Sequence, residues 1–164
     1  MRGSQRGTLR IIQYNVWKSM GKVMIDFMAD EEVRSADILV IQEPWRNRYD
    51  GKGYNPSGSP FRLIDAGTVD TRTSIYINKR IPTEDYGVIE VGQNLVSILL
   101  RLKVGGRTVE TTIHSGYSPP PESHSIREVP DELSQILRAI ERQGEQILLG
   151  DFNLHHPYWG GRGT

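Results

Sequence analysis

Short apolar runs alternate with polar, glycine- or proline-bearing breaks along the chain, and that rhythm predicts a mixed α and β domain. Residues 9–16 (LRIIQYNV) open with β-branched and other apolar side chains and read as a buried strand. In 21–34, Val23, Met24, Phe27 and Met28 recur at helical spacing, with Asp30 to Glu32 on the wetter side, so a helix is expected there. Residues 37–43 (DILVIQE) form an unbroken apolar run ending on Glu43, as a strand covered on both faces would. Pro44 then removes a backbone donor and ends the ladder.

The stretch 50–60 is rich in glycine, proline and serine and predicts an exposed loop. Runs rich in strand-forming residues follow at 61–66, 73–79, 86–91, 94–102 and 107–113, broken by turn residues such as Gly105 and Gly106, and suggest an antiparallel meander. Residues 129–143 place Val129, Leu133, Ile136, Leu137 and Ile140 on one face, begin near acidic residues and stop at Gly144, which predicts a helix. The run QILLGDFN then repeats the device of DILVIQE: an apolar strand delivers a carboxylate, Asp151, at its end. No internal repeat or interdomain linker is visible, so sheet packed against helices is the expected class.

Composition narrows the functions open to this fold. A length of 164 residues suits one hydrophobic core. Twenty basic residues balance twenty acidic ones, so attraction to a polyanion must come from a local patch or a bound cation. The absence of cysteine excludes disulfides, thiolate metal sites and a cysteine nucleophile, and an intracellular setting is the simplest expectation. No apolar run is long enough for a membrane span. The polar, basic residues 1–8 read as a flexible arm or a cloning remnant preceding a domain over 9–164.

Carboxylates that end apolar strands are costly unless paired, hydrogen-bonded or bound to a cation. With hard oxygen donors and no thiolate, Glu43 and Asp151 favour Mg²⁺ or Mn²⁺; the bland alternative is a loop cap or an arginine partner for each. Asn15 and Asn153 are equally open to turn roles, and Tyr117 to a packed aromatic role. The adjacent His155 and His156 point in different directions on most backbones, which disfavours a shared zinc ion with His114. Trp45, Tyr158 and Trp159 are candidates to stack on bases, and Arg46, Arg48 and Arg162 to meet phosphates, against ordinary packing and solvated charge; Arg72 is a candidate to line the cleft, against a surface charge.

Taken in order, Asn15 in IIQYNVW, Glu43 in DILVIQEPW, Tyr117 in HSGYSPP and the run GDFNLHHPYW from Gly150 to Trp159 resemble the motifs of the endonuclease/exonuclease/phosphatase superfamily. The wording of QEPW and GDFNLHHPYWGG is most similar to the endonuclease domain of non-LTR (LINE-type) retrotransposons, which sits beside a reverse transcriptase. The resemblance spans residues 9–161 and implies a four-layered α/β sandwich. It implies Glu43 and Asn15 at a metal site, Asp151 as orienter or activator of water, Asn153 on the phosphate, and Tyr117 as donor to a phosphate oxygen or the leaving group. It places His155 on the substrate side, where Arg46, Arg72 and Trp159 are candidates by residue type and position alone. The implied activity is nicking of one strand of DNA in the nucleus; a phosphatase of the same superfamily and a non-catalytic nucleic-acid- or protein-binding remnant are the alternatives.

Members of that superfamily continue after GDFN with further strands, an aspartate and a terminal Ser-Asp-His-like motif. The sandwich is therefore expected to be incomplete at its carboxyl end, with impaired turnover, and a second chain would be one way to complete the sheet.

Overall fold

The computed structural model describes residues 8–120 and 131–153. Among the described residues, two four-stranded sheets lie face to face. The first contains β1 (Ile11–Asn15), β2 (Ile38–Gln42), β3 (Phe61–Ile64) and β4 (Thr73–Asn78) in the order β1-β2-β4-β3. The second contains β5 (Tyr86–Val91), β6 (Leu95–Val104), β7 (Arg107–Tyr117) and β8 (Glu145–Asp151) in the order β5-β6-β7-β8.

Each sheet has one parallel pair, and these pairs position the site. β1 runs parallel to β2, with Asn15 opposite Gln42, and β7 runs parallel to β8, with Tyr117 opposite Asp151. The remaining pairings are antiparallel. The predicted meander is thus divided: its first two strands join β2 in one sheet, and only β5, β6 and β7 form a meander in the other.

The alternation of side chains explains the layers. On β2, Ile38 and Val40 face the second sheet and pack with Ile75, Ile77, Val96, Ile98, Leu100 and Ile113 in the inter-sheet core. Leu39 and Ile41 point the other way, into a cluster with Val16, Met24, Met28, Val33, Phe61 and Tyr76. All five β2 residues are buried, as the unbroken apolar run predicts. Full burial of each aliphatic side chain contributes roughly 1.5–3 kcal/mol before entropy is charged against it. On the far face of the second sheet, Leu95, Ile136 and Ala139 form a smaller core joined by Leu148 and Phe152. Helix, sheet, sheet, helix is the resulting four-layered order.

The helix expected over 21–34 is broken. A π-helical turn at Met20–Met24 leads into α1 (Ile25–Ala29), and α2 (Glu31–Arg34) starts afresh after Asp30. Asp30 is extended (ψ 131°), and its carboxylate accepts the backbone N–H groups of Glu32 at 2.8 Å and Val33 at 3.1 Å. A capping side chain thus wins over helix continuation. β1 is shorter than 9–16 and lies at a sheet edge among the described residues, with Gln13 and Tyr14 exposed. The helix expected over 129–143 is α3 (Asp131–Ile140); Ile136 and Ala139 face the sheet, whereas Leu137 is 44% exposed. No helix among the described residues is long and apolar enough to cross a membrane.

Candidate active site

The carboxyl ends of β1, β2, β7 and β8 meet at one place. Asn15 Nδ2 donates to Asp151 Oδ2 at 2.7 Å, and Tyr117 Oη donates to Glu43 Oε1 at a long 3.4 Å. Both bonds cross between the sheets. Beneath them, Gln13 Nε2 donates to Gln42 Oε1 at 3.1 Å and to the Gly150 carbonyl at 2.9 Å, while Gln42 Nε2 donates to Ser115 Oγ at 3.3 Å. Thr73 Oγ1 and Ser115 Oγ are also hydrogen-bonded. This polar floor gives buried Gln42 partners and fixes how the two sheets meet below the carboxylates.

The chain is sharply turned at these strand ends. Every non-glycine residue with positive φ among the described residues lies here: Trp17 (48°), Lys18 (56°), Glu43 (46°) and Asn153 (45°). Such backbone conformations are unfavourable for side chains other than Asn and Asp, and they persist where surrounding bonds enforce them. For Glu43 those bonds are its N–H to the Arg72 carbonyl at 2.7 Å and its own carbonyl receiving the Lys18 N–H at 2.7 Å. For Asn153, the N–H reaches Asp151 Oδ1 at 3.3 Å and Nδ2 reaches the Ser118 carbonyl at 2.9 Å.

The glycine before Asp151 has a steric reason. A Cβ at Gly150 would overlap the Gly116 carbonyl oxygen and lie 2.6 Å from Phe152 Cζ. Only a residue without a side chain lets β8 run this close to β7 and deliver Asp151 beside Tyr117.

Electrostatically the site is mixed. Lys18 Nζ lies 3.9 Å from Glu43 Oε1; the lysine side chain is 54% exposed and the glutamate 13%. Burial and then the neighbouring Glu43 push the Tyr117 hydroxyl above the ordinary phenol range, with Asp151 adding to the effect and the positive Arg72 opposing it. Tyr117 therefore remains a hydrogen-bond donor at neutral pH.

Asn15, Glu43, Tyr117, Asp151 and Asn153 are thus brought together. Arg72 joins them through its backbone and its charge near Tyr117. Arg46, expected on the substrate side, is instead buried: its side chain is 5% exposed and pairs with Asp65 at 2.5 Å and with Ser74 Oγ at 2.7 Å. A guanidinium enclosed with its own carboxylate is not presented to an incoming phosphate. His114 is also away from the site, with Nδ1 2.8 Å from Ser97 Oγ and Nε2 2.8 Å from Gln146 Oε1. His124, His155, His156, Tyr158, Trp159 and Arg162 lie outside the described residues. Sequence reasoning missed Trp17 and Lys18; the signal was their position directly after the Asn15 strand end.

Two facing mixed sheets flanked by helices match the endonuclease/exonuclease/phosphatase fold. Residues 111–164, from within β7 onward, match the family model described as endonuclease-reverse transcriptase. Among solved structures, a humanised D. rerio TDP2 superposes with a TM-score of 0.53 at 14% identity, over 90% of this chain and 63% of that one. D. rerio TDP2 complexed with a single-strand DNA product gives 0.50 at 13% identity, over 90% and 62%. An endonuclease/exonuclease/phosphatase family protein from Leptotrichia buccalis gives 0.53 at 10% identity, over 90% and 69%. The chain therefore spans less than two thirds of the length of either TDP2 structure. No curated protein matches it in sequence.

Proposed function

We propose that this chain is the metal- and phosphate-binding part of a divalent-metal-dependent phosphodiester hydrolase that nicks DNA, as the endonuclease of a retrotransposon would. The observation that carries this reading is the convergence of Asn15, Glu43, Tyr117 and Asp151 through two bonds between sheets. The endonuclease-reverse transcriptase family match and the DNA-complexed TDP2 neighbour support a nucleic acid as the substrate and a reverse transcriptase as the functional partner.

The donor set fits Mg²⁺ or Mn²⁺. Among the described residues no three His, Cys, Asp or Glu side chains form a metal-binding group. Magnesium, however, commonly uses only one or two protein carboxylates, with waters and substrate phosphate completing its shell. Glu43 would hold it, with Asn15 beside it at the same site. Asn15 Oδ1 accepts the Trp17 N–H at 2.8 Å, and an amide oxygen has a second lone pair with which to accept or ligate. When bound, the cation supplies Lewis-acid stabilisation of charge on the phosphoryl oxygens.

The chain's own residues supply the rest. Asn15 and the Asn153 N–H each hold one oxygen of Asp151, fixing a carboxylate that orients a water and takes its proton. Tyr117, held protonated, donates to a phosphate oxygen, and Arg72 adds positive charge where negative charge grows.

Supercoiled plasmid incubated with the chain in Mg²⁺ or in EDTA tests the reading, alongside Glu43→Gln and Asp151→Asn. Mg²⁺-dependent nicking lost in both variants is expected, with Mg²⁺ raising the Tm of the wild type more than that of Glu43→Gln. Nicking that survives in EDTA overturns it. Binding of DNA without cleavage would leave a nucleic-acid-binding domain, and preference for a phosphate monoester over bis(p-nitrophenyl) phosphate would favour a phosphatase.

A further inference from the structure

We propose that Trp17 is a stacking platform for an unpaired nucleobase next to the phosphate that the site holds, an inference that rests on the nucleic-acid reading above. Trp17 is 80% exposed, yet it follows Val16, which is fully buried. A singly exposed apolar side chain is ordinary on a protein surface. What sets this indole apart is how the chain holds it out. Trp17 and Lys18 are consecutive left-handed residues, a conformation that is strained where no glycine relieves it.

The bonds that enforce this conformation come from the active site itself. The Trp17 N–H donates to Asn15 Oδ1 at 2.8 Å, and Asn15 is the residue that holds Asp151. The Lys18 N–H donates to the Glu43 carbonyl at 2.7 Å. Ser19 closes the turn, its N–H on the Val16 carbonyl at 2.9 Å and its Oγ on the Trp17 carbonyl at 3.3 Å. Rearranging the turn would therefore disturb both Asn15 and Glu43. Tyr49, similarly exposed at 84%, offers a useful contrast: Arg48 lies over its ring at 5.2 Å, and the Tyr49 N–H bonds to Asn47 Oδ1 at 2.9 Å. None of these contacts ties Tyr49 to the site.

The chemistry matches one ligand class. An indole face held in water stacks on the π-face of a base, a contact open to every base and blocked when the base is already stacked within a duplex. Lys18, next to the indole in sequence, half-exposed and 3.9 Å from Glu43, supplies a cation beside that carboxylate for the backbone phosphate joined to the stacked base. A free phosphate or a phosphorylated sugar could use the carboxylate end but has no use for the indole.

Fluorescence polarisation with the whole chain in Ca²⁺ tests this, using a labelled oligodeoxythymidylate, an abasic oligonucleotide of equal length, and a duplex. The variants are Trp17→Phe and Trp17→Leu, each checked for unchanged circular dichroism. Trp17→Leu should weaken oligodeoxythymidylate binding by about five- to a hundredfold, Trp17→Phe should retain most of it, and abasic binding should not change in either variant. Equal binding by Trp17→Leu and wild type overturns the platform, as does an equal loss in both variants on the abasic probe. Tighter binding of duplex that depends on Trp17 overturns the preference for an unpaired base. If the platform fails while Mg²⁺-dependent nicking persists, the proposed function stands without it; if no probe binds the wild type, the nucleic-acid reading fails as well.

Discussion

Asn15 Nδ2 and Asp151 Oδ2 lie 2.7 Å apart although 136 positions separate them in sequence. The bond ties the first strand of one sheet to the last described strand of the other, and it fixes the orientation of a carboxylate that a loop alone would leave free to rotate. Because a hydrogen bond to a charged group contributes about 1.5–3 kcal/mol, both the site and the stability of the inter-sheet junction depend on it.

Replacing that donor by an acceptor reverses the interaction. Asn15→Asp sets two carboxylates against each other, so its Tm in EDTA should fall below that of the wild type, and Mg²⁺ should restore more of it than the wild type gains. Thermal melts of both proteins with and without Mg²⁺ measure this. Identical melting in EDTA would show that the bond contributes nothing to the junction.

Glu43 occupies a left-handed conformation that glycine adopts without cost. Its polar side-chain contacts among the described residues, to Tyr117 at 3.4 Å and Lys18 at 3.9 Å, are long. Glu43→Gly should therefore keep or raise stability, by up to about 1 kcal/mol, while abolishing the response of Tm to Mg²⁺. Urea unfolding gives the first quantity and a Mg²⁺ titration the second; a loss of several kcal/mol would mean that the carboxylate is structural.

The enclosed Arg46–Asp65 pair has a different signature. Among the described residues Arg46 Nε and Nη1 have no hydrogen-bond partner, so the guanidinium depends on Asp65 and Ser74. Asp65→Ala should cost about 3–5 kcal/mol by leaving a buried charge uncompensated, whereas the apolar double variant Arg46→Met/Asp65→Leu should recover most of that loss. Denaturant midpoints for the two proteins decide it, and a single variant as stable as the double one would contradict the argument.

His114 links stability to pH. Burial first, then the positive Arg142, lowers its pKa, while the bond to Gln146 and the charge of Glu90 oppose the shift. The unfolded chain consequently takes up the proton at a higher pH than the folded one. The contribution of neutral His114 is complete above the ordinary value of about 6.5 and declines as pH falls through and below it. Urea midpoints between pH 8 and 5 should show this fall, and His114→Gln should flatten it; an unchanged slope in the variant would assign the effect elsewhere.

Apolar periodicity determined a good deal by itself. The run ILVIQ had to be a strand buried on both faces, and α3 had to turn Ile136 toward a sheet, because covering those side chains is the main favourable term open to such segments. Strand propensity likewise marked β3 to β6 to within a few residues. It did not mark the end of β7: His114, Ser115 and Gly116 have little local preference for a strand and are held there by pairing with β6 and β8.

The site was legible as residue types and positions, through Glu43 and Asp151 at the ends of apolar strands. Its geometry was not. Which strand ends meet depends on two parallel pairings in different sheets and on the polar floor from Gln13 to Ser115, all of them long-range. The same limit misassigned Arg46, whose partner Asp65 is brought to it by the fold, and concealed Trp17, whose position comes from bonds to Asn15 and, through Lys18, to Glu43. Local sequence sets what a side chain can do, and only the packing of distant segments decides what stands next to it.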